Sequence, residues 1–415
     1  MAPSTSSVFD IVEHTIEATH IREYPQATAN SQDEPLLLHI KQYIPKNPSH
    51  PPRKGDLTII GSHANGFPKE LYEPLWEDFY HECEKLGVGI RAIWIADCAW
   101  QGQSGVLNET RLGNDPSWID YARDILHAIN TFRMPRPLLA IGHSFGANAL
   151  TNAALIHPRL FSGMVLLDPV IARFRTLYSN PAVNSVNRRD VWPSRQAALA
   201  SFSKNPFYKL WDPRALHRWA EFGLRDDPNG EEGQGQVKLT TTKHQEVFTF
   251  LRPLWPAFDE SGTQLISRRH MPDMIPDEGF TVANHPVYRP EGVSTLKRLP
   301  HLRPGVLYIF GGKSDKLETT GVGEGGSGGA KEGRVKSVTE PEAGHLVPLE
   351  NPGFCAQAAA EWAKTEVDRW WEEEREFEEW SKKPAVEKVT VSEEFRKRIG
   401  APPPRNGNGK NKAKI

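Results

Sequence analysis

One pentapeptide has the residue types and the setting for nucleophilic chemistry: Gly142-His143-Ser144-Phe145-Gly146. It follows the apolar run "PLLAI" and precedes "ANALTNAALIH", so a strand is expected to turn into a helix at Ser144. In a G-x-S-x-G elbow the serine occupies strained backbone, the glycines leave it room, and its hydroxyl is aimed out of the sheet's edge. The N–H of the next residue, Phe145, lies in the first helical turn, where it can face developing negative charge. The bland alternative is a tight turn that needed small residues. Five-residue matches arise by chance, but the strand-to-helix context favours a nucleophile.

A serine nucleophile needs a base, and the base needs a group to orient it. Among 15 histidines, His345 stands apart. The segment "VTEPEAGHLVPLENP" puts it on a loop after the last expected strand, behind Gly344 and ahead of a closing helix. His143, next to the serine, reads as structural. Two carboxylates compete for the orienting role. Asp168 closes the strand in "VLLDPVI", and a charge ending so apolar a run needs a partner, which favours it. Asp315, in "FGGKSDK", can stay solvated and is the alternative acid. The second oxyanion donor is expected from the loop His63-Ala64-Asn65-Gly66-Phe67-Pro68, as the backbone N–H of Asn65 facing that of Phe145.

The elements that must position these residues alternate strand and helix. The first fifty residues, with "LLLHIKQYIP", read as antiparallel edge strands. "DLTIIGSH" and "GIRAIWIAD" read as buried strands, with a helix between them carrying Leu71, Leu75, Phe79 and Cys83 at helical spacing. The next helix is expected to be capped by Asp115 with Pro116 in its first position, and to bury Trp118, Ala122, Ile125, Ile129 and Phe132. "PLLAIGHS" and "GMVLLDP" follow as strands around the elbow helix. This is an α/β pattern: a mostly parallel sheet with helices on both faces. The alternation breaks after Asp168 and returns with "GVLYIFGG" and "RVKSVTE". The domains are therefore read as a first part of the core at residues 1–170, a helical cap or lid at 171–302, and a second part of the core at 303–380. A separately folded second domain is the alternative for the insertion. The cap would cover the carboxyl edge of the sheet, where open α/β sheets bind ligands. A long final helix is expected to pack Trp362, Val367 and Trp370 on the core. Residues 381–415 read as a disordered basic tail.

Composition bounds the rest. A formal charge of −2 on 415 residues gives no footprint for nucleic acid. No run approaches the roughly 18 apolar residues of a transmembrane helix, and the N-terminus lacks a signal-peptide pattern. Cys83, Cys98 and Cys355 have neither disulfide-scaffold nor metal-ligand spacing, so a reducing compartment is expected and no metal or cofactor is. Gly321 to Gly326 matches G-x-G-x-x-G, but it sits in the low-complexity run "GVGEGGSGGAKEG" and reads as a flexible loop. The last three residues, Ala413-Lys414-Ile415, resemble the S-K-L peroxisomal address. They imply a peroxisomal import receptor as partner and the peroxisomal matrix, or otherwise the cytosol, as location.

Longer stretches carry a family resemblance: "HIREYPQAT", "PKELYEPLW", "IRAIWIAD", "DPSWIDYARDILHAIN", "MPRPLLAIGHSFGANALTN", "HPRLF", "LLDPVI", "GGSGG" and "GHLVP". On these the chain resembles fungal peroxisomal α/β-hydrolases. That group includes an acyl-CoA hydrolase of mycophenolic acid biosynthesis, hydrolases of host-selective toxin pathways and, more distantly, a yeast peroxisomal lipase. The resemblance implies the α/β-hydrolase fold with a helical cap after the strand that follows the elbow. Its triad falls on Ser144, Asp168 and His345, with Asp315 left a possible shared or spare role. It further implies hydrolysis of an acyl-CoA thioester, in secondary-metabolite or toxin biosynthesis. "HANG" has Ala64 where many relatives have glycine, which touches the Asn65 assignment. A carboxylesterase or lipase acting on esters is the alternative enzyme, and a non-catalytic ligand-binding protein the alternative of another class. Epoxide hydrolase chemistry would need an aspartate at the elbow.

Overall fold

The computed structural model describes residues 6–171, 180–227, 235–274, 281–314 and 333–402. Its central sheet follows from runs that are apolar on both faces. The strands are β1 (Phe9–Glu17), β2 (Leu37–Pro45), β3 (Leu57–Ser62), β4 (Ile90–Ala96), β5 (Leu138–His143) and β6 (Gly163–Leu167), with two more after the insertion. In β3, Ile59 joins one hydrophobic layer and Ile60 the other; Ile93 and Trp94 of β4, and Leu139 and Ala140 of β5, divide in the same way. Strands buried on both sides lose the polar–apolar alternation and read as continuous apolar runs.

One layer packs α1 (Glu73–Lys85), with Leu75, Trp76, Phe79 and Cys83, and the helix Pro352–Ser381, with Cys355, Ala359, Trp362 and Val367. Between α1 and the next major helix lies the short α2 (Gly102–Leu107). The other layer packs α3 (Trp118–Thr131) and α4 (Phe145–Ile156). Of the expected stripe, Trp118, Ala122, Ile125 and Ile129 are buried on α3 and Phe132, just past its end, is partly buried, but the cap is not Asp115. Ser117 accepts the Ile119 N–H at 3.2 Å, and the helix begins at Trp118. Asp115 instead receives the Arg252 guanidinium at 2.6 and 2.7 Å, a charged bidentate partner that a lone N-cap bond does not match.

The insertion contains α5 (Asn180–Asn187), β7 (Val191–Trp192), α6 (Arg195–Phe202), α7 (Pro213–Phe222), β8 (Leu224–Asp226), β9 (Val237–Leu239), α8 (Lys243–Phe250), β10 (Arg252–Pro253), β11 (Val287–Tyr288) and α9 (Glu291–Arg298). It is less purely helical than expected. A three-stranded sheet, β7-β9-β8, and the β10-β11 pair accompany the helices. The central sheet then resumes with β12 (Gly305–Gly311) and β13 (Val335–Glu340). Among the described residues it has eight strands in the order β1-β2-β4-β3-β5-β6-β12-β13. The pairs β1-β2 and β2-β4 are antiparallel and all others parallel.

By contacts, residues 368–415 form a unit of their own. Residues 381–402, expected to be disordered, hold the short helices Ala385–Val389 and Glu393–Arg398. The second is locally encoded: Ser392 caps the Phe395 N–H at 3.1 Å, Glu393 and Glu394 occupy the first turn, and Arg396, Lys397 and Arg398 the last. No described helix is long and apolar enough to cross a membrane.

Beneath the β3–α1 connection lies an ionic cluster whose lysines and carboxylates are buried and whose Arg218 is partly exposed. Lys69 Nζ donates to Asp97 at 2.6 Å and lies 3.0 Å from Glu70, which is 3.2 Å from Lys41; Arg218 lies 2.7 Å from Glu73. Burial pushes the Glu70 carboxyl up, but Lys69 and Lys41 outweigh burial and hold it down to about 2 from an ordinary 4.5. A carboxyl depressed in the folded state stabilises it above the unfolded pKa and loses that contribution as pH falls through the folded one. Glu70→Gln should therefore lower stability at neutral pH and flatten its decline between pH 4.5 and about 2, read by chemical denaturation at stepped pH. Asp97→Ala leaves the buried Lys69 ammonium with Glu70 alone and removes the acceptor of the Lys69 and Gln103 N–H groups, so it should cost about 3–5 kcal/mol in the same assay.

Candidate active site

The carboxyl ends of β5, β6 and β12 converge at the elbow. Ser144 sits between β5 and α4 at φ 59° and ψ −123°, a conformation that side chains rarely adopt. The two glycines are explained by contact. A Cβ on Gly142 would lie 2.6 Å from Ser62 Oγ, and one on Gly146 2.4 Å from the His63 carbonyl oxygen. The elbow is thus pressed against the end of β3, where the oxyanion loop begins.

Ser144 Oγ is 2.9 Å from His345 Nε2, and His345 Nδ1 is 2.5 Å from Asp168 Oδ2. The three residues expected from the sequence are therefore in one hydrogen-bonded chain. Asp168 follows β6 at φ 41°, so the serine and the carboxylate both occupy the left-handed region. The Asp168 side chain is fully buried, while the His345 side chain is 32% exposed. Asp168 also accepts the Gly311 N–H at 3.2 Å and the Ser314 hydroxyl at 2.6 Å. Asp315, the alternative acid, lies outside the described residues, as do Gly321 to Gly326 and the terminal Ala413, Lys414 and Ile415.

His143 reads correctly as structural, and its partners say why. Its Nε2 faces the His345 carbonyl at 2.9 Å and must donate there, so Nδ1 accepts from the Tyr72 hydroxyl at 2.7 Å. Burial, with His345 nearby, pushes its pKa down to about 3, so it stays neutral. Tyr72 in turn accepts the Ala64 N–H at 2.8 Å. This buried relay ties the His63–Pro68 loop to the backbone of His345. The His345 loop is further fixed by Glu350, which accepts the Gly344 N–H at 2.8 Å, and it lies so close to β12 that a Cβ on Gly311 would stand 2.0 Å from the Gly344 carbonyl oxygen.

The oxyanion loop has its own supports. The His63 ring accepts the Cys98 N–H at Nε2, 3.0 Å, so its Nδ1–H donates to the Ala64 carbonyl at 2.9 Å. That carbonyl belongs to the same peptide as the Asn65 N–H and points the opposite way along it. Ala64 and Gly66 give their N–H groups to Tyr72 and Gln101, while the Asn65 N–H has no acceptor among the described residues. The Phe145 N–H, first in α4, has no i−4 partner within the helix. Both backbone donors expected from the sequence are thus uncommitted. Ser314, Tyr72 and Gln101 carried no sequence signal: a serine in a glycine-rich loop, a tyrosine in an apolar stretch and a loop glutamine are ordinary until their partners are known. Among the described residues no group of three or more His, Cys, Asp or Glu could hold a metal ion.

The chain is similar to known proteins along most of its length. The profile of the family described as "Alpha/beta hydrolase family" matches residues 62–358. The type I acyl-CoA thioesterase mpaH of Penicillium roqueforti is 38% identical over 408 residues, covering 90% of this chain and 92% of that protein. The abhydrolase domain-containing protein AFT2-1 of Alternaria alternata is 26% identical over 57% of this chain and 87% of its own. Among solved structures, the peroxisomal alpha-beta-hydrolase Lpx1 of Saccharomyces cerevisiae shares the fold, with a TM-score of 0.60 at 16% identity over 95% of this chain and 96% of that one. On the profile match and the similarity along nearly its whole length, the chain belongs to the alpha/beta hydrolase family.

Proposed function

We propose that this protein is a serine hydrolase that cleaves acyl-CoA thioesters. The observation that carries the reading is the hydrogen-bonded chain from Ser144 through His345 to Asp168, at 2.9 and 2.5 Å, with the N–H groups of Phe145 and Asn65 uncommitted beside it. The thioester is favoured by the relatives named as acyl-CoA thioesterases, which align over most of both chains.

In this mechanism Ser144 Oγ attacks the acyl carbon as His345 Nε2 takes its proton. Asp168 holds Nδ1–H, fixes the tautomer and stabilises the imidazolium. The tetrahedral oxyanion is received by the Phe145 and Asn65 N–H groups. Collapse breaks the carbon–sulfur bond, and the departing thiolate takes the proton from His345. Water then attacks the acyl-serine with His345 again as base; collapse breaks the bond from the acyl carbon to Oγ, which takes the proton back from His345 as the carboxylic acid leaves. The buried environment of Asp168, with the Gly311 and Ser314 donors on its oxygens, keeps the carboxylate accepting rather than wandering to solvent.

The proposal extends to location. Ala413-Lys414-Ile415 is read as a peroxisomal address taken by an import receptor, on its likeness to the S-K-L signal.

Four outcomes are expected. Ser144→Ala should fold and lose turnover; activity above about a tenth of wild type would exclude Ser144 as nucleophile, since removal of a triad serine typically costs orders of magnitude. Asp168→Asn should lower kcat by up to about 10⁴-fold through a mis-set tautomer, with Asp315→Asn nearly silent, and the reverse ranking would move the acid to Asp315. A panel of acyl-CoAs and p-nitrophenyl esters should give the higher kcat/KM for a thioester; the opposite order would make the protein a carboxylesterase, and absence of both turnover and fluorophosphonate labelling a binding protein. Deleting residues 413–415 should shift an N-terminally tagged protein from peroxisomes to cytosol with activity unchanged in vitro.

A further inference from the structure

The loop after β4 buries Gln101, which the mechanism above does not use. Its amide makes three hydrogen bonds. Oε1 accepts the Gly66 N–H at 2.8 Å; Nε2 donates to Asn65 Oδ1 at 2.5 Å and to Thr249 Oγ1 of α8 at 2.9 Å. The partners fix its orientation, because a backbone N–H can only donate and the Asn65 amide already donates, through Nδ2, to the Glu246 carbonyl at 2.9 Å. The Thr249 hydroxyl is equally committed: it donates to the Gln245 carbonyl and accepts from both Gln101 and Trp100 Nε1.

We propose that Gln101 is a positioning residue that aims the oxyanion donor Asn65, and that through it the cap helix α8 sets that aim; this rests on the catalytic reading given above. The physical argument concerns the peptide planes around Asn65. On the N-terminal side, His63 and Tyr72 hold the Ala64 carbonyl and N–H. On the C-terminal side stands Gly66 at φ +85°, a residue whose backbone rotates freely and whose N–H only Gln101 holds. Gln101 thus pins the one flank that sequence leaves loose, and the same amide grips the Asn65 side chain. Helix α8 closes the arrangement from above. Its Glu246 carbonyl takes the Asn65 amide, and the Glu246 side chain lies against Gly66 so closely that a Cβ there would be 2.8 Å from Glu246 Cδ. An oxyanion donor stabilises the transition state only when its N–H is aimed beforehand, so loosening this clamp weakens the reaction without weakening substrate binding.

The test uses the full-length protein, p-nitrophenyl butyrate as a small substrate, and fluorophosphonate labelling of Ser144. The variants are Gln101→Ala, Asn65→Ala, their double variant, Gln101→Glu and Thr249→Val. Asn65→Ala keeps the backbone N–H and removes only its anchor. Gln101→Ala and Asn65→Ala should each lower kcat about 10-fold or more, short of the roughly 100- to 1000-fold of a deleted donor, with KM little changed and labelling slowed in parallel. The double variant should be no slower than the slower single one by more than about twofold, because both remove one support. Gln101→Glu keeps the size but sets two acceptors face to face, so it should be slow as well, and it carries the test if Gln101→Ala does not fold. Thr249→Val should reduce kcat in the same direction. A Gln101 variant that loses thermal stability while keeping kcat overturns the proposal, as do multiplicative losses in the double variant. An unaffected Thr249→Val overturns the role of the cap helix. Residual turnover and labelling in Ser144→Ala would instead overturn the catalytic reading itself.

Discussion

The carboxylate of Asp168 is the constraint on which the rest of the site depends. A charge removed from water must be met by donors of fixed geometry, since an unpaired buried carboxylate costs far more than any single contact returns. Here the donors come from three places in the chain: the N–H of Gly311 at the end of β12, the hydroxyl of Ser314 just beyond it, and Nδ1 of His345 on the loop after β13. Satisfying one carboxylate therefore fixes how β6, β12 and the histidine loop meet. It also accounts for Gly311, where a side chain would collide with the carbonyl of Gly344.

A second layer of order comes from strain and close approach. Ser144 and Asp168 both hold positive φ, and their backbones are joined to the sheet: the Ser144 N–H donates to Leu167 at 3.0 Å and the Asp168 N–H to Ile309 at 2.7 Å. Such conformations persist only where surrounding contacts over-determine them. The surroundings include Gly142 and Gly146, which let the elbow lie against Ser62 and His63, and the relay from Ala64 through Tyr72 and His143 to the carbonyl of His345. His345 and the His63–Pro68 loop are consequently positioned by one buried network rather than by two independent loops. Neutrality of His143 is part of that design, because a charged ring could not accept from Tyr72.

The insertion enters the same network through α8. Its polar contacts with the core include a part-buried bond from Gln245 Nε2 to the Gly113 carbonyl at 2.8 Å and a buried one from Trp118 Nε1 to the Thr249 carbonyl at 2.8 Å. Hydrogen bonds of this kind specify one seating where apolar contact alone would tolerate several. A further clamp, Arg252 between Asp115 and Asp273, holds the segment after α8. It draws on the aspartate that local sequence had assigned to capping α3.

By itself the sequence determined the features that rest on local chemistry. The elbow was legible because Gly-x-Ser-x-Gly between an apolar run and a small-residue helix has few other uses, and the sheet because strands buried on both faces become continuous apolar runs. Ser144, His345 and Asp168 could be singled out from such settings. What local sequence could not reach were partners far apart in the chain. Asp115 met both local rules for a cap, yet an arginine 137 positions away claimed it, since a bidentate ion pair outweighs a single N-cap bond. The helix Glu393–Arg398, by contrast, was encoded by its own cap and end charges but hidden by the charged composition around it. Tyr72, Gln101 and Ser314 acquire meaning only when folding brings them to His143, Asn65 and Asp168. Their side chains are ordinary in type, and a hydrogen bond is specified by geometry at both ends, which only the tertiary structure supplies.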